Sequence, residues 1–209
     1  MISLDNLIFF LLATLLLNIT PGSDMLYVVG RSLGQGTKAG VISAFGISVG
    51  CLVHTLAAIA GISAVISSSP FLFEIIKFSG AGYLIYLGLK SLISKKSGID
   101  ISAEPDKKSL ASIFNQGIVT NVLNPKVALF FLAFLPQFID PGSSAASLKI
   151  LLLGILFNIS GTAVNCIVAA AFGKGKDFLS RYPFYFRIQD KITGTMLVLL
   201  GVKMLFLKK

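Results

Sequence analysis

The stretch NITPGSD at residues 18–24 decides how this chain folds, because it places a proline among polar residues inside a long apolar run. A related stretch, NVLNPK at residues 121–126, interrupts a second long apolar run. Proline has no backbone N–H and clashes with the preceding turn, so a helix breaks or kinks where proline occurs. Each stretch therefore predicts a long helix that is interrupted near its middle.

The composition around these stretches is that of a membrane protein. Of the 209 residues, 55% are hydrophobic and 13% are charged, and the mean hydropathy is +0.86. A soluble protein carries about 25% charged residues. The net charge of +9 does not indicate a nucleic-acid partner, because the basic residues lie in short segments between apolar runs. The expected surroundings are a lipid bilayer.

Apolar runs of roughly 20 residues predict membrane-spanning helices. Six such spans are expected at residues 4–31, 37–66, 70–93, 109–139, 146–172 and 190–207. The run at 4–17 lacks the basic segment of a signal peptide, so we expect a retained first helix.

The polar stretch at residues 94–109 separates a first unit of three spans, 1–93, from a second unit, 110–209. Because each half has an odd number of spans, the second half inserts inverted relative to the first. The predicted fold is an all-α integral membrane protein, an inverted 3+3 repeat whose helices one and four are broken at prolines. Most loop Lys and Arg residues lie on the side of the 94–109 linker, which places that linker in the cytoplasm and both termini outside.

The two proline breaks predict a binding site near the middle of the membrane. Interrupted helices at corresponding positions of two inverted halves mark the substrate site of many secondary transporters. We expect Thr20 and Asn124 to cap new helical segments whose first residues are Pro21 and Pro125, with Gly22 in the first break. Amides exposed at a helix N-terminus bind anions, so a substrate carboxylate fits there.

Two charged residues lie at the same breaks. Lys126 is roughly 15 Å from the nearer end of its span at 1.5 Å per residue, too far for its side chain to reach water fully. An unpaired charge at that depth costs about 2.5–3.5 kcal/mol. Lys126 should therefore face a partner or a wet cavity, and Asp24 is either that partner or the acceptor for a substrate ammonium. The alternatives are purely structural: Asp24 complements a helix dipole, and Lys126 is its counter-ion.

Polar side chains on two other spans are weaker candidates. Asn158, Thr162 and Asn165 form one helical stripe, which either lines a pathway or bonds a neighbouring helix. In span two, Gly46, Gly50 and His54 repeat every four residues, and Gly61 continues the face. This pattern favours close helix packing. His54, the single histidine, either titrates in a proton-coupled cycle or is a satisfied interhelical residue.

These residues resemble the LysE/RhtB family of amino-acid exporters, which includes lysine and homoserine/threonine efflux proteins. The matching stretches are TPGSD at 20–24, NPK at 124–126, LFFLAFLPQF at 129–138 and GAGYL at 80–84, with Gly194 and Gly201 in the last span. The family commonly has a second proline where this chain has Ser23, so the geometry of the first break differs there.

The resemblance implies a six-helix exporter in the bacterial cytoplasmic membrane, driven by the proton motive force and assembled as a homodimer. Its substrate is an amino acid or a related small zwitterion. Two other classes remain open. A thiol redox carrier would use Cys51 and Cys166, and a metal-ion exporter would need clustered acids or histidines. No motif indicates an enzyme, a cofactor or a resident metal.

Overall fold

The computed structural model describes residues 3–68, 70–93, 107–139 and 143–174, together with 191, 194–195, 197–199, 201–202, 205 and 206. Every regular element in this part of the chain is helical. The helices are α1 (Leu4–Ile19), α2 (Ser23–Ser68), α3 (Pro70–Ile93), α4 (Leu110–Val122), α5 (Pro125–Leu129) and α6 (Ala146–Lys174). The predicted linker lies largely outside the described residues, as does much of the predicted last span.

Both predicted breaks are present. Helix α1 ends at Ile19 and α2 begins at Ser23, so the first break spans Thr20 to Gly22. Helix α4 ends at Val122, and α5 begins at Pro125. Helix α5 continues as a π-helical turn, Phe130–Phe134, and a 3₁₀ turn, Leu135–Phe138. The fourth predicted span is therefore a helix pair bent by 44° at its break.

Helix α2 folds back on itself at Gly36, whose φ of 84° and ψ of 174° interrupt the helix. Only glycine adopts this backbone conformation readily. A side chain added at Gly40 would collide with Ser32, which shows that residues on either side of Gly36 face each other. The two arms, residues 23–35 and 37–68, therefore form a helical hairpin, which separates the first two predicted spans with a single-residue turn.

Glycines let the second arm of α2 pack tightly against α4. A Cβ at Gly46 would meet the carbonyl of Phe114, and one at Gly50 would lie 2.8 Å from Cβ of Asn121. The predicted packing role of Gly46 and Gly50 is therefore confirmed. Gly61 does not continue this face, because a Cβ there would meet nothing within 4 Å.

Helix α6 lies antiparallel to the same arm. Gly154 abuts Thr55, Gly173 abuts Thr37, and both contacts are closer than a Cβ on the glycine would allow. Helix α3 packs in the same way against the last segment, where Gly88 meets Gly194. Small residues at such crossings let helix backbones approach closely, which is how helices associate in lipid.

Phenylalanine rings fill the core on the far side of the breaks from Gly36. Phe130 lies 4.7 Å from Phe157 and 4.9 Å from Phe134, and Phe10 lies 5.2 Å from Phe138, all between ring centroids. Because these rings come from α1, α6 and the π- and 3₁₀-helical turns, the cluster holds the irregular end of the fourth span against both long helices.

Large apolar side chains also cover the outer surface. Ile159 and Ile167 of α6 are 62% and 68% exposed, and Leu56 of α2 is 63% exposed. By length and composition, the stretch 23–61, which contains the turn at Gly36, and the helix at 146–173 are long enough and apolar enough to cross a membrane, and the bent pair at 110–138 makes a third candidate span. Helix α1 is a shorter apolar helix. These surfaces suit lipid rather than water.

We expect Gly46→Ala to destabilise the protein, because the new methyl group would press on the α4 backbone. Overpacking of this kind costs about 1–3 kcal/mol. The measurement is the melting temperature of the detergent-purified protein. Gly61→Ala is the matched control, since it adds the same methyl group to the same helix in open space. Equal melting temperatures for the two variants would contradict the close α2–α4 crossing.

We expect Gly36→Ala to destabilise the hairpin by roughly 1–3 kcal/mol, because alanine is strained at a φ of 84°. Gly30→Ala is the control, because Gly30 lies within the helical first arm and a methyl group added there would meet no atom within 4 Å. Thermal unfolding of both variants tests this. A Gly36→Ala protein as stable as Gly30→Ala would rule out the positive φ at the turn.

Candidate functional site

The two helix breaks meet in space. The Lys126 ammonium, one residue into α5, donates to the carbonyls of Leu17 (3.1 Å) and Thr20 (2.8 Å) at the end of α1. From the other side, the Asn121 carboxamide, in the last turn of α4, donates to Asp24 Oδ2 at 2.8 Å. Both donors flank the second break and all three acceptors flank the first, so the two charged residues predicted from the sequence lie at one site.

The contacts of Lys126 differ from the expected pairing. Its ammonium binds backbone carbonyls, and the described residues contain no direct hydrogen bond between Lys126 and Asp24. Lys126 nevertheless lines the same cavity as Asp24. Lys126 is thus both a structural partner of α1 and a nearby countercharge for Asp24.

The caps at the two breaks differ. Asn124 caps α5 as predicted, because its Oδ1 accepts from the Lys126 amide at 3.0 Å and Pro125 follows as the first helical residue. The prediction for Thr20 and Pro21 is wrong. Thr20 ends α1, its hydroxyl donates back to the Leu16 carbonyl at 2.7 Å, and α2 begins only at Ser23. The residue before a proline favours an extended backbone, which Thr20 adopts, so its side chain turns back to α1.

Gly22 brings the first break close to Lys126. A Cβ at Gly22 would lie 3.1 Å from Lys126 Nζ. The absence of a side chain at this position therefore leaves the space that the ammonium occupies. The first turn of α2 also carries Asp24, so its positive dipole end faces a carboxylate from the same chain.

His54 belongs to the same network without lining the cavity described below. Its Nε2 lies 2.9 Å from the Asn121 carbonyl, and its ring lies 6.0 Å from that of Phe131. Asn121 therefore connects His54, through its backbone, to Asp24, through its side chain. This is the interhelical contact expected for a satisfied histidine.

A small cavity of about 30 Å³ lies between the breaks and α6. The three polar residues predicted on one stripe of α6, Asn158, Thr162 and Asn165, all line it, as do Asp24 and Lys126. The volume holds a water molecule but is far below the roughly 300–1,000 Å³ of pockets that enclose small ligands. A substrate can enter only if the surrounding helices separate.

Other lining residues were not predicted as site residues. Asn18, whose Nδ2 donates to Ser160 Oγ at 2.9 Å, and Asn121 contribute polar groups. Both occur in the two stretches that define the breaks, so their position beside the prolines was the available signal. The apolar lining residues are Met25, Ile47, Cys51, Val127 and Phe157. These apolar residues come together because of the way the helices cross, and the local sequence around each residue does not predict that crossing.

Several buried polar atoms at the breaks have no hydrogen-bond partner within the described part of the chain. They are Asp24 Oδ1, Asn121 Oδ1 and Asn124 Nδ2. A buried polar atom without a partner costs about 1–3 kcal/mol. Two acceptors and one donor in this position are the complement of an ammonium and a carboxylate.

A polar cluster ties the first arm of α2 to α4 near the Gly36 turn. Arg31 donates to Gln35 and Gln116, each at 3.1 Å, and its guanidinium lies 5.6 Å from the centroid of the Tyr27 ring. The Gln35 carboxamide in turn donates to the Lys108 carbonyl at 2.8 Å. This cluster and the phenylalanine core lie on opposite sides of the cavity along the helices.

The remaining candidate chemistry is not assembled in the described residues. Cys51 lines the cavity and Cys166 packs near Val28 and Ala169, and both are free thiols. Among the residues that the structure describes, no group of three or more metal-ligating side chains is present.

Comparison with known proteins gives the family. Residues 15–208 match the LysE type translocator family. An uncharacterised membrane protein of Bacillus subtilis, YrhP, is 34% identical over 193 residues, which is 88% of this chain and 91% of YrhP. No solved structure matches the chain.

Leucine efflux proteins of Salmonella choleraesuis and Salmonella typhimurium are each 33% identical over 131 residues. The alignment covers 63% of this chain and 62% of each leucine efflux protein. Because the family match extends over nearly the whole chain, the protein is a membrane protein of the LysE family of translocators.

Proposed function

We propose that this protein exports amino acids from the cytoplasm and binds them at the junction of the two helix breaks. The observation that supports this most directly is the convergence of Asp24, Lys126 and the polar stripe of α6 on one cavity. A zwitterion needs one acid, one base and neutral hydrogen-bonding groups at short range, and this junction supplies all three. Membership of a translocator family and relatives named as leucine efflux proteins support the same function.

The substrate ammonium would bind Asp24 and Asn121, whose Oδ1 atoms lack partners in the described residues. The carboxylate would bind Lys126 and the Asn124 carboxamide. An ammonium has three donors, and Lys126 uses two of them on backbone carbonyls, so one N–H remains for the substrate. The backbone of Thr20, Pro21 and Gly22 would form one wall, and Pro125 would lie on the other.

The cavity favours a substrate with an apolar side chain. Ile47, Val127 and Phe157 form its apolar wall, and among the residues that the structure describes Asp24 is the single acid lining it. A cationic side chain would need a second acid once Asp24 binds the α-ammonium. Leucine is therefore the first substrate to test, which agrees with the name of the leucine efflux relatives.

The transport cycle would follow from an inverted 3+3 arrangement of six spans. The antiparallel courses of α4 and the first arm of α2 support this, since Asp24 lies beside Asn121 and Gln35 beside Lys108. The linker at 94–109 would lie in the cytoplasm. Separation of the Arg31 cluster would admit substrate, and separation of the phenylalanine core would release it.

The proton motive force would drive export through protonation of Asp24 from outside. A neutral Asp24 holds an ammonium less strongly, so its protonation would favour release of the substrate. His54, connected to Asp24 through Asn121, would be the second residue on the proton pathway.

We expect Lys126→Ala to lower leucine efflux from preloaded cells by at least about tenfold, because a hydrogen bond to a charged group contributes about 1.5–3 kcal/mol. Lys90→Ala is the control, since Lys90 lies at the exposed end of α3 over the Tyr86 ring. The measurement is loss of labelled leucine at fixed pH, with and without an uncoupler, normalised to protein in the membrane. Unchanged efflux in Lys126→Ala would contradict the proposed site.

We expect Asn158→Ala to lower efflux several-fold, since it removes a polar group from the cavity wall at a cost of about 1 kcal/mol. Ile159→Ala is the control, because this neighbour on α6 is 62% exposed on the outer face. Efflux rates across a range of internal leucine concentrations test whether the apparent affinity changes. Equal losses in both variants would indicate a general effect of α6 instead of a cavity contact.

A further inference from the structure

The end of α1 is built to bind a cation. The last carbonyls of a helix have no intrahelical partner and carry the negative end of the helix dipole. Here the carbonyls of Leu17 and Thr20 both accept from one ammonium, and Asp24 of α2 lines the same cavity as that ammonium. In secondary transporters, carbonyls at interrupted helices are where coupling cations bind.

Lys126 provides the cation in this structure. Its Nζ lies 3.1 Å from the Leu17 oxygen and 2.8 Å from the Thr20 oxygen, within hydrogen-bonding distance of both. The backbone of the first break leaves space for the Lys126 ammonium. The extended backbone of Thr20 directs its carbonyl to Lys126, and glycine at position 22 leaves room for Nζ, which a Cβ would approach to 3.1 Å.

A substrate ammonium has the same chemistry as the Lys126 ammonium. Both are primary ammonium groups with N–H donors, and both would be attracted by the same carbonyls and by Asp24. The Oδ1 atoms of Asp24 and Asn121, two residues that line the same cavity as Lys126, are buried and lack partners among the described residues. An incoming ammonium therefore finds acceptors next to the position that Lys126 occupies.

We propose that the carbonyl end of α1 is a cation site whose resident cation is the Lys126 ammonium, and that the substrate ammonium exchanges with it. Displaced from Leu17 and Thr20, Lys126 becomes free to bind the substrate carboxylate. The exchange would thus couple substrate binding to release of α1 from α5, which loosens the junction of the two breaks. The exchange rests on the proposed function, whereas the cation site itself does not.

Chemical rescue tests the cation site. Lys126→Ala, purified in detergent, should be destabilised, and methylammonium chloride should raise its melting temperature saturably by several degrees. Wild-type protein should show a much smaller rise, because methylammonium must displace the Lys126 ammonium there. Tetramethylammonium chloride at equal concentration is the control, since it has the same charge but no N–H to donate. Lys126→Val, which leaves the space of the ammonium empty and carries no charge, is the second variant should Lys126→Ala fail to fold.

The cation site is disproved if a folded Lys126 variant responds equally to both salts, or to neither. It is also disproved if methylammonium stabilises the wild-type protein as strongly as the variant. This measurement needs no transported substrate, so it distinguishes failure of the cation site from failure of the proposed export function.

The exchange is tested by transport. Methylammonium should restore leucine efflux in Lys126→Ala several-fold, and it should not restore efflux in the double variant Lys126→Ala/Asp24→Asn, where the acid that attracts the cation is absent. Stabilisation of Lys126→Ala without any restored efflux would retain the site and overturn the exchange. Normal leucine export by the wild-type protein with no methylammonium effect in either assay would overturn the whole inference and leave the export function intact.

Discussion

The bond between the Lys126 ammonium and the carbonyls that end α1 is the constraint on which the rest of the site depends. A helix that stops inside the protein leaves carbonyls without partners, and those groups must be satisfied by something other than water. Lys126, 106 positions away from Thr20, donates to the Thr20 carbonyl and adds a second donor to the Leu17 carbonyl, which also accepts from the Thr20 amide. The same contact also stabilises the buried charge of Lys126. It therefore lowers the cost of ending a helix inside the protein and the cost of burying a charge there.

This bond requires the two breaks to lie at the same depth, and the glycine contacts provide that. The second arm of α2 lies against α4 through Gly46 and Gly50, and against α6 through Gly154. The hairpin at Gly36 then returns the first arm of α2 to the same level, beside Asn121. Close helix crossings therefore fix the position of the breaks, and the breaks fix the polar groups around the cavity.

The contrast between the two sides of the cavity follows from their composition. Phenylalanines from three parts of the chain pack together on one side, where dispersion and ring contacts dominate. Arg31, Gln35 and Gln116 hold the other side by hydrogen bonds. A polar cluster can exchange its bonds for water when it opens, whereas the phenylalanine side must separate packed rings. The two sides of the cavity therefore differ in what it costs to separate them.

The sequence by itself determined the helices and their interruptions, because hydropathy and proline chemistry act locally. Predicted spans at 70–93 and 146–172 agree closely with α3 and α6, and the Asn124 cap is confirmed. Tertiary structure alone decided that Lys126 binds the end of α1 instead of Asp24, that Thr20 closes α1, and that Asn18 and Asn121 join the cavity. Each of these results is a choice of hydrogen-bond partner or neighbour among several polar groups. The distances between the packed helices decide which partner is within reach, and the sequence alone does not give those distances.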